Sequence, residues 1–278
     1  MTALTLDPGT LGQWIGRTEA AQIALNPETA RRMQVTLDSV PTLQTGASLP
    51  PLWHWLYLSS DTPTSGLGRD GHTSRGGFLP PVALPRRMWA GGDVVFHAPL
   101  RLGQTVSRQS TVRDIQLKQG RSGQICLVTV RHTLDDALTE DHQIVYRSVG
   151  TPGAVPHVAP PDLAPRHVET VVPNIPLLFR YSALTFNSHR IHYDLDYCRG
   201  VEGYPGLVVH GPLVATWLAD LATRVAKAPL KRFTYRATAP LFHNRPAKLC
   251  AHLDGPTLIL WAAAPDGTQA MRATARFA

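Results

Sequence analysis

The sequence predicts an α+β chain built as two units of similar plan, each with a helix followed by antiparallel strands. Three observations carry this. Apolar residues recur at helical spacing after His210, strand-like alternation with tight turns closes each half, and five prolines in 151–165 separate the halves. The expected division is 1–150, a partly extended linker at 151–165, and 166–278.

In the first half the candidate helix is PPLWHWLYLSS, residues 50–60, short and rich in aromatics. A Gly-rich stretch from Thr64 to Gly77 reads as a long mobile loop. TVSRQSTVRDIQL and QICLVTVRHTL then flank a turn from Gly120 to Gly123, and QIVYRSV follows an acidic loop, DDALTEDH. In the second half Val214, Trp217, Leu218, Leu221 and Val225 fall at i, i+3, i+4, i+7 and i+11, while Asp220, Arg224 and Lys227 fall elsewhere. Pro212 suits the first turn of that helix, where a missing N–H is no loss. Asp254-Gly255 marks a hairpin between KLCAHL and TLILWAA, and Pro265-Asp266-Gly267 precedes a strand alternating Met271, Ala273, Ala275 and Phe277 with Arg272, Thr274 and Arg276. Each sheet is expected to wrap its helix.

The 278 residues exclude a disulfide-stapled miniature, and a hydrophobic share of 43% with 17% charged residues describes a globular chain. With 27 basic and 20 acidic residues the net charge is +7, which attracts polyanions: nucleic acid, acidic lipid or a phosphorylated ligand. The densest basic cluster, Lys227, Lys231 and Arg232, is too small for a nucleic-acid footprint, and no zinc-finger or RNP-type motif is present. Cys126, Cys198 and Cys250 are odd in number and widely spaced, a pattern of reducing compartments rather than disulfides or thiolate zinc sites. The opening residues carry no export signal and no run of eighteen apolar residues occurs, so the expected location is cytoplasmic, with no membrane partner.

Chemistry concentrates in YSALTFNSHRIHYDLDYC, residues 181–198, which packs Asn187, His189, Arg190, His192, Asp194 and Asp196 into ten positions. A metal site is one reading, since H-x-x-H-x-D offers nitrogen and oxygen ligands, although no thiolate or HExxH accompanies it. A solvated loop with a core histidine is the bland reading. The third is an acid–base site. There His192 exchanges protons near neutral pH, Asn187 orients a water or carbonyl, and Asp194 orients the loop or the imidazole. Gly211 would place a bare N–H at the positive end of the long helix, suited to an oxyanion.

YSALTFNSHRIHYD followed by EGYPGLVVHGPL resembles the signature of the MaoC-like, R-specific enoyl-CoA hydratases, above all a double-hotdog branch that includes itaconyl-CoA and mesaconyl-C4-CoA hydratases and 3-hydroxyacyl-thioester dehydratases. The match covers about forty residues, 181–221. It implies two hotdog units, each an antiparallel sheet around a central helix, with the second catalytic and the first helping to form the CoA site. It also implies a hydro-lyase acting on an acyl-CoA, with no metal or redox cofactor and a homodimer as the expected assembly. His192 takes the place of the family's catalytic histidine and Asp194 that of the following acid. Asn187 stands where the family has an aspartate; because Asn cannot take a proton, His192 is left with the acid–base work.

The resemblance assigns the positive charge to CoA phosphates, with Arg236 in FTYRATAPLF the first candidate contact, and it places Val209 and His210 at the ligand. A branched dicarboxyl acyl group would call for an arginine as carboxylate receptor. Arg190 is nearest in sequence to His192, ahead of Arg86 and Arg87 in PPVALPRRMW. Trp53, Trp55 and Trp89 are candidates for an acyl or adenine pocket, against the alternative that they are core.

Overall fold

The computed structural model describes residues 6–59, 62–120, 123–148 and 157–278. Its strands are β1 (Thr18–Ala24), β2 (Arg86–Phe96), β3 (Thr105–Gly120), β4 (Gly123–Leu134), β5 (Leu138–Arg147), β6 (His167–Val171), β7 (Leu230–Ala237), β8 (Ala247–Asp254), β9 (Thr257–Ala263) and β10 (Gln269–Phe277). All pair antiparallel in one sheet, ordered β1-β3-β4-β5-β2-β7-β10-β9-β8-β6. The halves share a topology: the first strand takes the outer edge, the second the middle of the sheet, and a meander of three fills the space between. The sheet is therefore continuous across the molecule, joined where β2 meets β7 from Gly91↔Arg236 to Val95↔Arg232. That joint requires glycine, because a Cβ on Gly92 would lie 2.3 Å from the Tyr235 hydroxyl.

The second half curls around the helix read from the sequence, Gly211–Ala226. Nine of its residues are buried, from Leu213 to Ala222, and Ala215, Ala219 and Ala222 keep its surface small enough for the sheet to close. Each large side chain buried here contributes roughly 1.5–3 kcal/mol. The helix ends at Lys227, which adopts a left-handed conformation.

The first half is built differently. The expected helix at 50–60 is only a 3₁₀ turn, Trp53–Tyr57, because Leu52 after two prolines is left-handed (φ 67°) and blocks a longer entry. Its helices are α1 (Pro8–Gly12) and α2 (Pro27–Thr36), each with a proline in its first turn and an Asp7 or Asn26 cap. The expected acidic loop also shrinks. Asp135, Asp136 and Ala137 make the turn, and β5 already begins at Leu138, so that Glu140 and His142 lie in a strand. Between β6 and the long helix, α5, come α3 (Ile175–Leu184), α4 (Leu195–Tyr197) and short irregular turns.

Residues 151–156 of the expected linker lie outside the described residues, as do the two between Gly120 and Gly123. The remainder of the linker has neither helix nor strand and is tied down by a Gln269 N–H bond to the Val158 carbonyl (2.7 Å). One buried cluster runs across the joint, from Val94, Leu134 and Leu138 to Leu213, Leu218, Phe233 and Leu260. The three cysteines are buried and free. Among the described residues no helix is long and apolar enough to cross a membrane.

Candidate active site

The polar cluster at 187–198 folds as a tight loop, and each of its groups has a position the local sequence explains. Phe186 turns left-handed (φ 50°), and Asn187 closes the bend by accepting the His189 N–H on Oδ1 (3.0 Å). His189 then heads a 3₁₀ turn, Arg190–His192. Asp194 caps α4 by accepting the Tyr197 N–H (2.9 Å) and pairs with Arg190, whose guanidinium donates to Asp194 Oδ2 at 3.0 and 2.7 Å and lies 4.3 Å from the Tyr197 ring centre. Asp194 therefore orients the loop, not the imidazole, and the H-x-x-H-x-D reading loses its carboxylate.

His192 is buried, and its Nδ1 lies 2.7 Å from the Val208 carbonyl. A carbonyl only accepts, so Nδ1 carries the hydrogen and Nε2 presents a lone pair. Burial pushes the pKa down to about 4, so the ring is neutral at physiological pH. The carbonyl is itself fixed, since the Val208 N–H donates to Ile191 (2.9 Å) and the Val209 N–H to Leu241 (2.8 Å). His210 stacks on His192 with ring centres 3.7 Å apart, and its Nε2 meets the Ser182 hydroxyl at 2.8 Å. It is fully buried and held neutral by that burial. Gly211 opens α5 with a first-turn N–H that the helix cannot satisfy, and the following proline has none. Trp89 covers this residue, so that a Cβ on Gly211 would lie 2.5 Å from the indole.

The stretch expected to be a mobile loop is bound to this site. Arg190 donates its N–H to the Asp70 carbonyl (2.9 Å), and Ser188 donates its hydroxyl to the Gly71 carbonyl (2.6 Å). Gly71 is left-handed (φ 86°), and a Cβ there would meet the Ser188 carbonyl at 1.9 Å. The docked loop delivers His72, whose Nδ1 lies 2.9 Å from Asp70 Oδ2 and whose ring centre is 3.9 Å from that of His189. His189 in turn stands edge-on to His192 at 5.4 Å. Burial lowers the pKa of His72 and of His189; it would raise that of Asp70, but the His72 hydrogen bond and charge outweigh it, and the carboxyl stays below its usual range. Asp70, His72 and His189 bring three potential metal donors within 4.8 Å of one another, although the first two already bond to each other.

The remaining sequence candidates divide. Arg236 is exposed on β7, and strand alternation turns it away from its buried neighbour Tyr235, which stacks on Trp89 at 4.5 Å; it lies on the face opposite the site. Val209 is in the core. Arg86 pairs with Glu202 (3.3 Å), Arg190 with Asp194, and Arg87 forms no ion pair among the described residues. Trp53 is core, whereas Trp55 and Trp89 pack on Tyr235 beneath the start of α5. Asp70, His72 and Ser182 escaped the sequence reading. A DGH turn in a Gly-rich loop was the one available signal, and the contact it serves lies more than a hundred residues away.

Residues 52–243 match the family described as hydroxyacyl-thioester dehydratase type 2. The chain is 46% identical over 269 residues to the mesaconyl-C4-CoA hydratase of Chloroflexus aurantiacus, covering 94% of this chain and 95% of that protein. Its fold is similar to that of HtdX of Mycobacterium tuberculosis (TM-score 0.65, 16% identity, 94% and 100% of the two chains). A second protein of that organism, described as having a double hotdog fold, also aligns (TM-score 0.54, 15% identity, 94% and 96%). With two sheets of one topology fused edge to edge and a buried, neutral histidine beside the opening of the long helix, the chain is a double-hotdog hydro-lyase that belongs to the hydroxyacyl-thioester dehydratase type 2 family.

Proposed function

We propose that this chain hydrates a short branched enoyl-CoA bearing a second carboxylate, with mesaconyl-C4-CoA or itaconyl-CoA giving citramalyl-CoA as the favoured case. The observation that carries this is the neutral, single-tautomer His192 beside the free Gly211 N–H; the name of the 46%-identical relative supports the substrate class. For the conjugated substrate, the thioester oxygen accepts from the Gly211 N–H. Water attacks the β-carbon as its proton passes to His192 Nε2, and the double-bond electrons move toward the thioester oxygen. The enolate collapses as His192 returns that proton to the α-carbon, so one water is added and the enzyme is restored. Asn187 holds the turn that carries His189 and His192, and its amide nitrogen, engaged by no described residue, is left to orient the water. No metal takes part in these steps.

The test is a panel of CoA thioesters offered to the purified protein: mesaconyl-C4-CoA, itaconyl-CoA, crotonyl-CoA and a longer enoyl-CoA, with hydration followed by loss of the enoyl absorbance or by product analysis. Fastest turnover of a dicarboxyl thioester is expected. Turnover of the longer chains alone would assign the protein instead to dehydration of fatty-acid thioesters, a case of the hydroxyacyl-thioester dehydration that its family description names. Substituting His192→Ala should lower kcat by about 10²–10⁴-fold.

A further inference from the structure

In mesaconyl-C4-CoA the second carboxylate sits on the β-carbon that water attacks. Whatever binds it must therefore stand next to the water site, and the arginines of this region are unequal in their freedom to do so. Arg190 is engaged by Asp194 and by the Tyr197 ring, and Arg86 by Glu202. Arg75 donates to the carbonyls of Val82, Leu84 and Pro85. Arg87 has no carboxylate partner among the described residues and is only partly exposed.

Strand geometry turns Arg87 toward the site. It stands two residues before Trp89 on β2, so both side chains project from the same face, and Trp89 is the residue that covers Gly211. Across the ladder Arg87 is registered with Tyr146, whose fully buried ring lies on that inner face. The charge of Arg87 acts on Tyr146, His72, His142 and His189. All three imidazoles are held neutral mainly by burial, and of the two permanent cations whose charge reaches the cluster, Arg75 is engaged by backbone carbonyls, which leaves Arg87. An arginine without a counter-ion beside neutral imidazoles is an anion receptor, and a planar guanidinium matches a carboxylate in two parallel hydrogen bonds.

We propose that Arg87 receives the second carboxylate of the substrate and is the residue that selects dicarboxyl over neutral branched enoyl-CoA. The proposal rests on the hydratase reading above. It gives the N-terminal half of the chain a specificity role in a site whose base comes from the C-terminal half.

The experiment compares two thioesters that differ only in this group, mesaconyl-C4-CoA and 3-methylcrotonyl-CoA, in which a methyl replaces the carboxylate. They are offered to wild type, Arg87→Gln and Arg87→Lys, with thermal melts as a check of folding. Arg87→Gln is expected to lower kcat/KM for mesaconyl-C4-CoA by about 10²–10³-fold and to leave that for 3-methylcrotonyl-CoA within a few-fold, so the ratio of the two collapses. Arg87→Lys, which keeps the charge and loses the fork, should fall between. Free mesaconate should inhibit wild type competitively and lose that effect in Arg87→Gln. An equal loss for both thioesters, or an unchanged ratio, would overturn the proposal and assign Arg87 to the CoA moiety or to packing. If wild type hydrates neither dicarboxyl thioester, the substrate reading itself fails, and that is visible before any variant is made.

Discussion

The proton on His192 is placed by a backbone carbonyl, and the same burial that hides the ring sets its proton affinity. Because the imidazole is depressed to about 4, it stays an available base across the neutral range and is disabled only as pH falls through that value. The acid limb of kcat/KM should therefore lie well below the pKa of about 6.5 typical of an exposed histidine. A pH–rate profile checks this; a limb near 6.5 would mean that a solvated group, not His192, takes the proton. His192 and Gly211 could be singled out in the sequence because their chemistry is local, a proton-exchanging ring and a helix-opening N–H. The partner that orients the ring could not, since the Val208 carbonyl comes from a segment sixteen residues on; of the two roles the sequence left open for Asp194, loop or imidazole, the structure gives it the loop. Arg190 is likewise already paired with Asp194, and proximity in sequence says nothing about which carboxylate a side chain has found.

The elements show where pattern suffices and where it stops. The α5 helix was legible from its 3.6-residue period and the closing meanders from alternation, because both are set by burial of one face or several. The docking of the 64–77 loop was not, since glycine-rich composition reports only the absence of local structure, while the loop is held by bonds to a motif over a hundred residues away. Gly71→Ala tests that docking. With its Cβ driven into the Ser188 carbonyl, the loop should lift, and kcat should fall at least tenfold with little change in melting temperature. Kinetics alongside a thermal melt separates this from general unfolding. Within α5, Asp220 has its pKa raised to about 7 by burial. A group whose pKa is higher in the fold than in the open chain adds stability below the unfolded value, and that stability is lost as pH rises through the folded one. Asp220→Asn should therefore raise stability at pH 8 by about 1–3 kcal/mol, a gain that disappears toward pH 4, as melting curves at the two values would report.

At the scale of the whole molecule, the two sheets meet over a buried carboxylate. Glu140 on β5 is fully buried, accepts from both Trp55 Nε1 (3.0 Å) and the Tyr235 hydroxyl (3.1 Å), and lies 2.9 Å from His54 Nε2. Three of these residues belong to the first half of the chain and Tyr235 to the second, so this cluster ties the halves directly beneath Trp89 and the start of α5. Burial alone would raise the Glu140 pKa, but the His54 hydrogen bond and the charges of His54, His132 and His142 bring it down to about 2. A carboxyl depressed in the fold contributes stability that is present above the unfolded value and is lost as pH falls through the folded one. Glu140→Gln keeps the shape and removes the charge, so it should melt below wild type at pH 7 by a margin on the order of 1–3 kcal/mol. That margin should narrow between about pH 4.5 and pH 2, where the wild-type group is itself being protonated. A margin that instead widened as pH fell from 7 toward about 4.5 would mean that Glu140 is neutral in the fold and that shape, not charge, joins the halves. Because the cluster supports the wall behind Gly211, the same variant should lose kcat as well as stability at pH 7. Steady-state kinetics well below the melting temperature would separate that loss from unfolding.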